Sequence, residues 1–180
     1  MPRLNCHGPG VSPAKRSSRH EHQAGTITVQ FSMKVRGLTA QQLRRAVRVA
    51  LAGRQIASLG VVVVDDAIMA GLHERYFNDP CPTDVISFDL RDEPASKAIE
   101  GEIVVSAQTA QRAAKNLGLT QRQEVLRYAI HGALHLADYD DRTDRQRKRM
   151  RHREDEILAF PLQEQADRPR ITRKTGTGKV

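Results

Sequence analysis

Four consecutive valines, Val61–Val64, lie between Gly60 and the acidic pair Asp65 and Asp66. A continuous β-branched run with no polar alternation buries both of its faces, so it suits a central strand. Asp65 or Asp66 then caps a helix reaching about Tyr76, because a short carboxylate accepts from the free N–H groups of a first helical turn. An interior strand followed at once by a helix calls for a sheet with helices packed on it.

The rest of the chain extends this pattern. Thr26–Val35 alternates apolar and polar positions (Ile27, Val29, Phe31, Met33, Val35) until Gly37 breaks it, the period of a half-buried strand. Thr39 is placed to cap a helix through about Ala52, with Leu43, Val47, Ala50 and Leu51 on one face and Arg44, Arg45 and Arg48 elsewhere. Asn78, Asp79, Pro80 and Pro82 form a loop, Asp84–Leu90 a strand, Arg91–Glu100 a charged surface connection and Glu102–Val105 another strand. Ser106 caps a helix that Gly118 ends after Leu117. Thr120, with Gln123 three residues on, has the form of a capping box for a helix to Ala137. A last helix runs from about Thr143 to Leu158, and Pro161 is expected to terminate it. The fold expected is α+β: one compact domain, with about four strands in a mixed sheet and about five helices.

Charge is unevenly spread. The 180 residues carry 29 Lys and Arg against 21 Asp and Glu, a formal net charge of +8, which favours a polyanionic partner. Nearly all of it lies in the tails: Arg3, Lys15, Arg16 and Arg19 against Glu21 before residue 25, and Arg168, Arg170, Arg173, Lys174 and Lys179 against Asp167 after residue 166. Both tails lack apolar periodicity, so residues 1–24 and 167–180 are expected to be disordered basic extensions of a near-neutral domain spanning 25–166. Two cysteines, Cys6 and Cys81, make no disulfide framework. No signal-peptide core of about 7–15 apolar residues and no membrane span of roughly 18 is found. A cytoplasmic protein with no membrane partner is expected.

The chemistry concentrates in His131–Asp141, HGALHLADYDD. His131 and His135 stand four apart on the expected helix, so their imidazoles lie one turn apart on one face. Asp138, Asp140 and Asp141 follow in a turn that can return one carboxylate to them. Three N/O ligands with an open fourth position describe a catalytic zinc rather than a structural one, and ordinary polar helix positions are the alternative. Gly132 occupies the place where an HExxH protease carries its general-base Glu, which argues against a protease of that kind.

The segment resembles the H-G-x-L-H-L-x-G-Y-D-H signature of the YbeY family of metal-dependent endoribonucleases of ribosomal RNA maturation. Two further blocks agree. Val64, Asp65, Leu72, Tyr76, Asp79 and the run Pro82–Phe88 are similar to L-N-x-x-Y-R … P-T-D-V-L-S-F, and Gly101, Glu102 and Ile103 to G-D-I. The resemblance covers roughly Ser58–Leu162 and implies His131, His135 and Asp141 as metal ligands.

Three positions depart from the pattern. Asp141 replaces the third His, which keeps a normal zinc donor but makes the ligand set more negative and favours a harder ion such as Mn²⁺. Asp138 replaces Gly, and Phe77 replaces the Arg after Tyr, leaving Arg75 to compensate. Thr83, Asp84 and Ser87 are the matched residues able to reach a substrate, against a plain role in capping the strand. Asp140 either holds an imidazole or closes the turn. Arg142–Arg153 holds seven basic residues against Asp144, read either as a solvated helix face or as phosphate contacts. The function implied is a Zn²⁺-dependent endoribonuclease cleaving single-stranded ribosomal RNA precursor, with RNA and the small ribosomal subunit as partners. The alternatives are a ribosome-associated RNA-binding module without turnover and a metal hydrolase with a non-nucleic substrate.

Overall fold

Strand β2 (Ile56–Val64) occupies the interior of a four-stranded sheet in the computed structural model, which describes residues 25–92 and 97–166, with side chains to residue 159. It pairs in parallel with β1 (Thr26–Phe31) on one side and with β4 (Ile99–Ser106) on the other, and β3 (Val85–Asp89) runs antiparallel along the outer edge of β4. The sheet is therefore mixed, in the order β1-β2-β4-β3. Five helices accompany it: α1 (Ala40–Ala50), α2 (Asp66–Phe77), α3 (Ala107–Leu117), α4 (Gln121–Leu136) and α5 (Asp144–Ala166).

The valine run is buried from both faces, as its composition requires. Leu59, Val61 and Val63 point into the main core with Ile103 and Val105 of β4, against α1, α3, α4 and α5. Val62, Val64 and Val104 point the other way, onto Met69, Leu72 and Phe77 of α2. The expected caps are present. Thr39 and Thr120 each form a full capping box, Asp65 and Ser106 accept from the first turns of α2 and α3, and Gly118 ends α3 in the left-handed region.

Four element boundaries differ from the sequence reading. Strand β1 stops at Phe31, because Ser32 and Met33 both turn their N–H groups onto Val63 O and the chain leaves the sheet there. Strand β2 begins at Ile56, five residues before the valines. Strand β4 begins at Ile99, inside the charged connection, where pairing with β2 outweighs poor local propensity. Helix α5 continues past Pro161 to Ala166: a proline removes one hydrogen bond at a cost of about 3 kcal/mol and does not forbid a helix. The two basic tails, with Cys6, and residues 93–96 lie outside the described residues.

Candidate metal centre

Helix α4 is the core helix of the domain. Leu126, Ile130 and Leu134 are fully buried, each contributing about 1.5–3 kcal/mol relative to exposure. The helix packs against the sheet at two glycines, Gly132 of α4 and Gly101 of β4. A Cβ on Gly132 would meet Ser87 Oγ at 2.6 Å and Ile103 Cγ2 at 2.9 Å, and one on Gly101 would meet Leu136 Cδ1 of α4 at 3.1 Å as well as Phe88 O of β3 at 2.6 Å. The glycine between the histidines thus seats the helix, and a glutamate there has no room.

His131 and His135 project from this seated helix toward the turn that follows it. His135 Nδ1 lies 3.0 Å from the carbonyl of Tyr139. A carbonyl only accepts, so Nδ1 carries the proton. His131 Nδ1 lies 2.7 Å from Glu154 Oε1 of α5. Burial pushes the Glu154 carboxyl up, but the hydrogen bond from His131 and the charge of Arg127 outweigh it and hold it below the usual carboxylate range, so this nitrogen also donates. With its proton on Nδ1, each imidazole in its neutral form would leave Nε2 bare, and the two Nε2 atoms face each other at 3.0 Å. Two lone pairs at that distance repel unless a cation lies between them.

Asp141 completes the cluster. Its Oδ2 is 3.9 Å from His131 Nε2, and its Oδ1 is buried without a hydrogen-bond partner. One donor atom from each of His131, His135 and Asp141 falls within a 4.8 Å group. Ligands at about 2.0–2.1 Å from a tetrahedral ion stand roughly 3.4 Å apart, between the two separations observed. The donor set, the tautomers and the orphaned carboxylate oxygen all fit a divalent cation.

A family model described as endoribonuclease YbeY matches residues 22–161. The chain belongs to the YbeY family. Relatives named endoribonuclease YbeY include that of Pelotomaculum thermopropionicum, 39% identical over 107 residues that cover 57% of this chain and 70% of the relative. That of Salinibacter ruber is 31% identical over 140 residues, covering 73% and 89%. The solution structure of TM1509 from Thermotoga maritima superposes with a TM-score of 0.58 at 23% identity, over 86% of this chain and all of that one, and so shares the fold.

The departures from the YbeY signature have structural counterparts. Asp138 holds the left-handed conformation, φ 68°, for which the signature uses Gly. Arg54 reaches across from the α1–β2 connection to bind both the Asp138 carboxylate, at 2.7 Å, and the Ala137 carbonyl. Phe77 is a partly buried core residue at the end of α2, stacked near His73. Arg75 is exposed and lies over the Tyr76 ring, on the helix that covers the opposite face of the sheet from α4.

The remaining sequence candidates divide. Ser87 lies directly beneath Gly132, which places β3 beside the histidine pair. Thr83 donates to Asp84, and Asp84 caps its own strand by accepting from the Val85 N–H. Asp140 closes the turn, accepting from the N–H groups of Asp141 and Arg142. The carboxylate partner of an imidazole is instead Glu154, which is not among the sequence candidates. The missed signal was positional: Glu154 falls on the buried stripe Met150, Ile157, Leu158 of α5, where a charged residue needs a partner.

The basic run is largely engaged. Arg147 donates to the carbonyls of Asp141 and Arg142, Arg149 covers the Tyr139 ring at 4.9 Å, and Arg153 pairs with Glu156. Arg147 and Arg149 thus brace the acidic turn against α5. Among the described residues Arg145 and Lys148 are exposed with no ion pair.

Proposed function

We propose that this protein is a divalent-metal endoribonuclease with His131, His135 and Asp141 as ligands and Zn²⁺ as the resident ion, acting on single-stranded segments of small-subunit ribosomal RNA precursor. The observation that carries the reading is the convergence of the His131 and His135 Nε2 atoms, 3.0 Å apart, beside an unpartnered buried carboxylate oxygen of Asp141. Membership of the YbeY family supports the choice of RNA. A divalent ion in this set supplies Lewis acidity toward a phosphoryl oxygen and a means of activating water at neutral pH.

The protein's own groups have separate tasks in this reading. Glu154 and the Tyr139 carbonyl fix the imidazole tautomers, and Arg147 holds the backbone from which Asp141 projects. Arg145 and Lys148, exposed on the first two turns of α5, supply phosphate contacts to a single strand. Thr83 and Asp84, just before the strand that runs beside Gly132, and Ser87 within it are the candidates for orienting the RNA. The proposed setting is the cytoplasm, in ribosome biogenesis. Among the described residues, no helix is long and apolar enough to cross a membrane.

Metal analysis of the purified protein, together with cleavage of a single-stranded RNA by wild type and His135→Ala, tests the proposal. One ion per chain is expected, with cleavage abolished both by a chelator and by the substitution. Stoichiometric metal without metal-dependent cleavage would leave the RNA-binding module as the better reading.

A further inference from the structure

On one face of α4, Glu124, Arg127 and His131 succeed one another at intervals of three and four residues, leading from the core to the metal cluster. Glu124 is 0% exposed, and neither of its carboxylate oxygens has a hydrogen bond. The charge nearest to it is Arg127, whose Nε lies 3.6 Å away. The same guanidinium places Nη1 3.3 Å from Glu154 Oε2 and 2.7 Å from Asp155 Oδ1. Glu154, 2% exposed, turns its other oxygen to His131 Nδ1 at 2.7 Å.

We infer that Arg127 is a positioning residue for the metal centre, holding Glu154 in the one orientation that directs the His131 Nε2 lone pair at the ion. The inference rests on the metal reading above. Two buried carboxylates flank one guanidinium, and a buried charge persists only where it is paired. The other cation near Glu154 is Arg151, half-exposed and 3.7 Å away. Without Arg127, Glu154 turns outward to Arg151 and water, because that is where compensating charge remains. His131 then loses the acceptor that fixes its ring and tautomer, and partners of this kind typically change metal affinity by about 10–100-fold. A lysine restores the charge but not the fork that spans Glu124, Glu154 and Asp155 at once.

The test is competition for Zn²⁺ against a chromophoric chelator, with the visible spectrum of the Co²⁺-loaded protein as second readout, for wild type, Arg127→Lys and Arg127→Met. The expected result is a metal affinity about 10–100-fold lower in Arg127→Met, an intermediate loss in Arg127→Lys, and altered Co²⁺ bands in both. A purely structural arginine would lower the thermal midpoint of the metal-free protein and leave affinity and spectrum unchanged. Wild-type affinity and spectrum in Arg127→Lys and in Arg127→Met would overturn the inference. Should the methionine variant not fold, Arg127→Lys decides alone. A wild-type protein that takes up no metal would sink the metal reading itself, an outcome distinct from wild-type uptake with unaffected variants.

Discussion

Gly132 lies so close to Ser87 that a Cβ on the glycine would stand 2.6 Å from the serine Oγ. That approach seats α4 on the sheet and sets the height at which His131 and His135 leave it. Gly132→Ala should therefore destabilise the domain by about 1–3 kcal/mol, despite the better helix propensity of alanine. Urea unfolding should show a lower midpoint with an unchanged slope. Adding Ser87→Ala should recover part of the loss, and Ile103 Cγ2, 2.9 Å from the same point, keeps the rescue incomplete. Strict additivity of the two substitutions would contradict this account.

In the proposed metal centre, an acidic third ligand at Asp141 sets an expectation about metal choice. Asp141→His replaces a hard oxygen with a softer nitrogen and should raise the affinity for Zn²⁺ relative to Mn²⁺. Asp141→Ala removes a ligand, and the loss should exceed the roughly 100-fold upper figure for supporting residues. Competitive titration with the two ions checks both outcomes. An unchanged Zn²⁺ to Mn²⁺ ratio in Asp141→His would show that residue 141 does not ligate.

Asp66 links the starts of α2 and α3, accepting from Ser106, Thr109 and Arg112. Burial pushes its carboxyl up, but those hydrogen bonds and the Arg112 charge outweigh it and hold it below the usual range. A depressed folded value means that the stabilisation is complete above the ordinary Asp value of about 3.9 and is lost as pH falls through the lower folded value. Asp66→Asn should cost about 1–2 kcal/mol at pH 7, and the gap to wild type should close in acid. Chemical denaturation at pH 7 and pH 3 measures this, and a gap that stays constant or widens would refute it.

Arg145 and Lys148 are the basic residues of α5 left for a polyanion. Their joint replacement by Ala should weaken RNA binding and flatten its salt dependence by about 0.7 in log–log slope for each lost phosphate contact on a single strand. Replacing Arg147 should instead loosen the metal turn and lower metal affinity, because its guanidinium is already committed to the Asp141 and Arg142 carbonyls. Binding isotherms at several salt concentrations separate the two, and equal slopes for all variants would assign the whole run to a solvated face.

Local chemistry made much of this legible. Thr39, Asp65, Ser106, Thr120 and Gly118 cap as their side chains and backbone preferences require, since capping is decided within three or four residues. The starts of β2 and β4 were not legible, because Ile56 and Ile99 join strands only through partners 43 positions apart in register. Pro161 misled for a related reason: a local breaker signal was outweighed by a helix already established upstream.

The same division runs through the metal centre. The i, i+4 spacing of His131 and His135, the turn that returns Asp141 and the glycine between the histidines are written in the sequence, because one helix and one turn suffice to place them. Glu154 and Arg127 became visible only when α5 folded back onto α4, since 23 and 27 residues separate the atoms that meet at 2.7 Å and 3.3 Å. Short-range stereochemistry determines which groups share a face. Which buried charge needs which partner is a question of desolvation, and that is answered only by the elements that exclude the water.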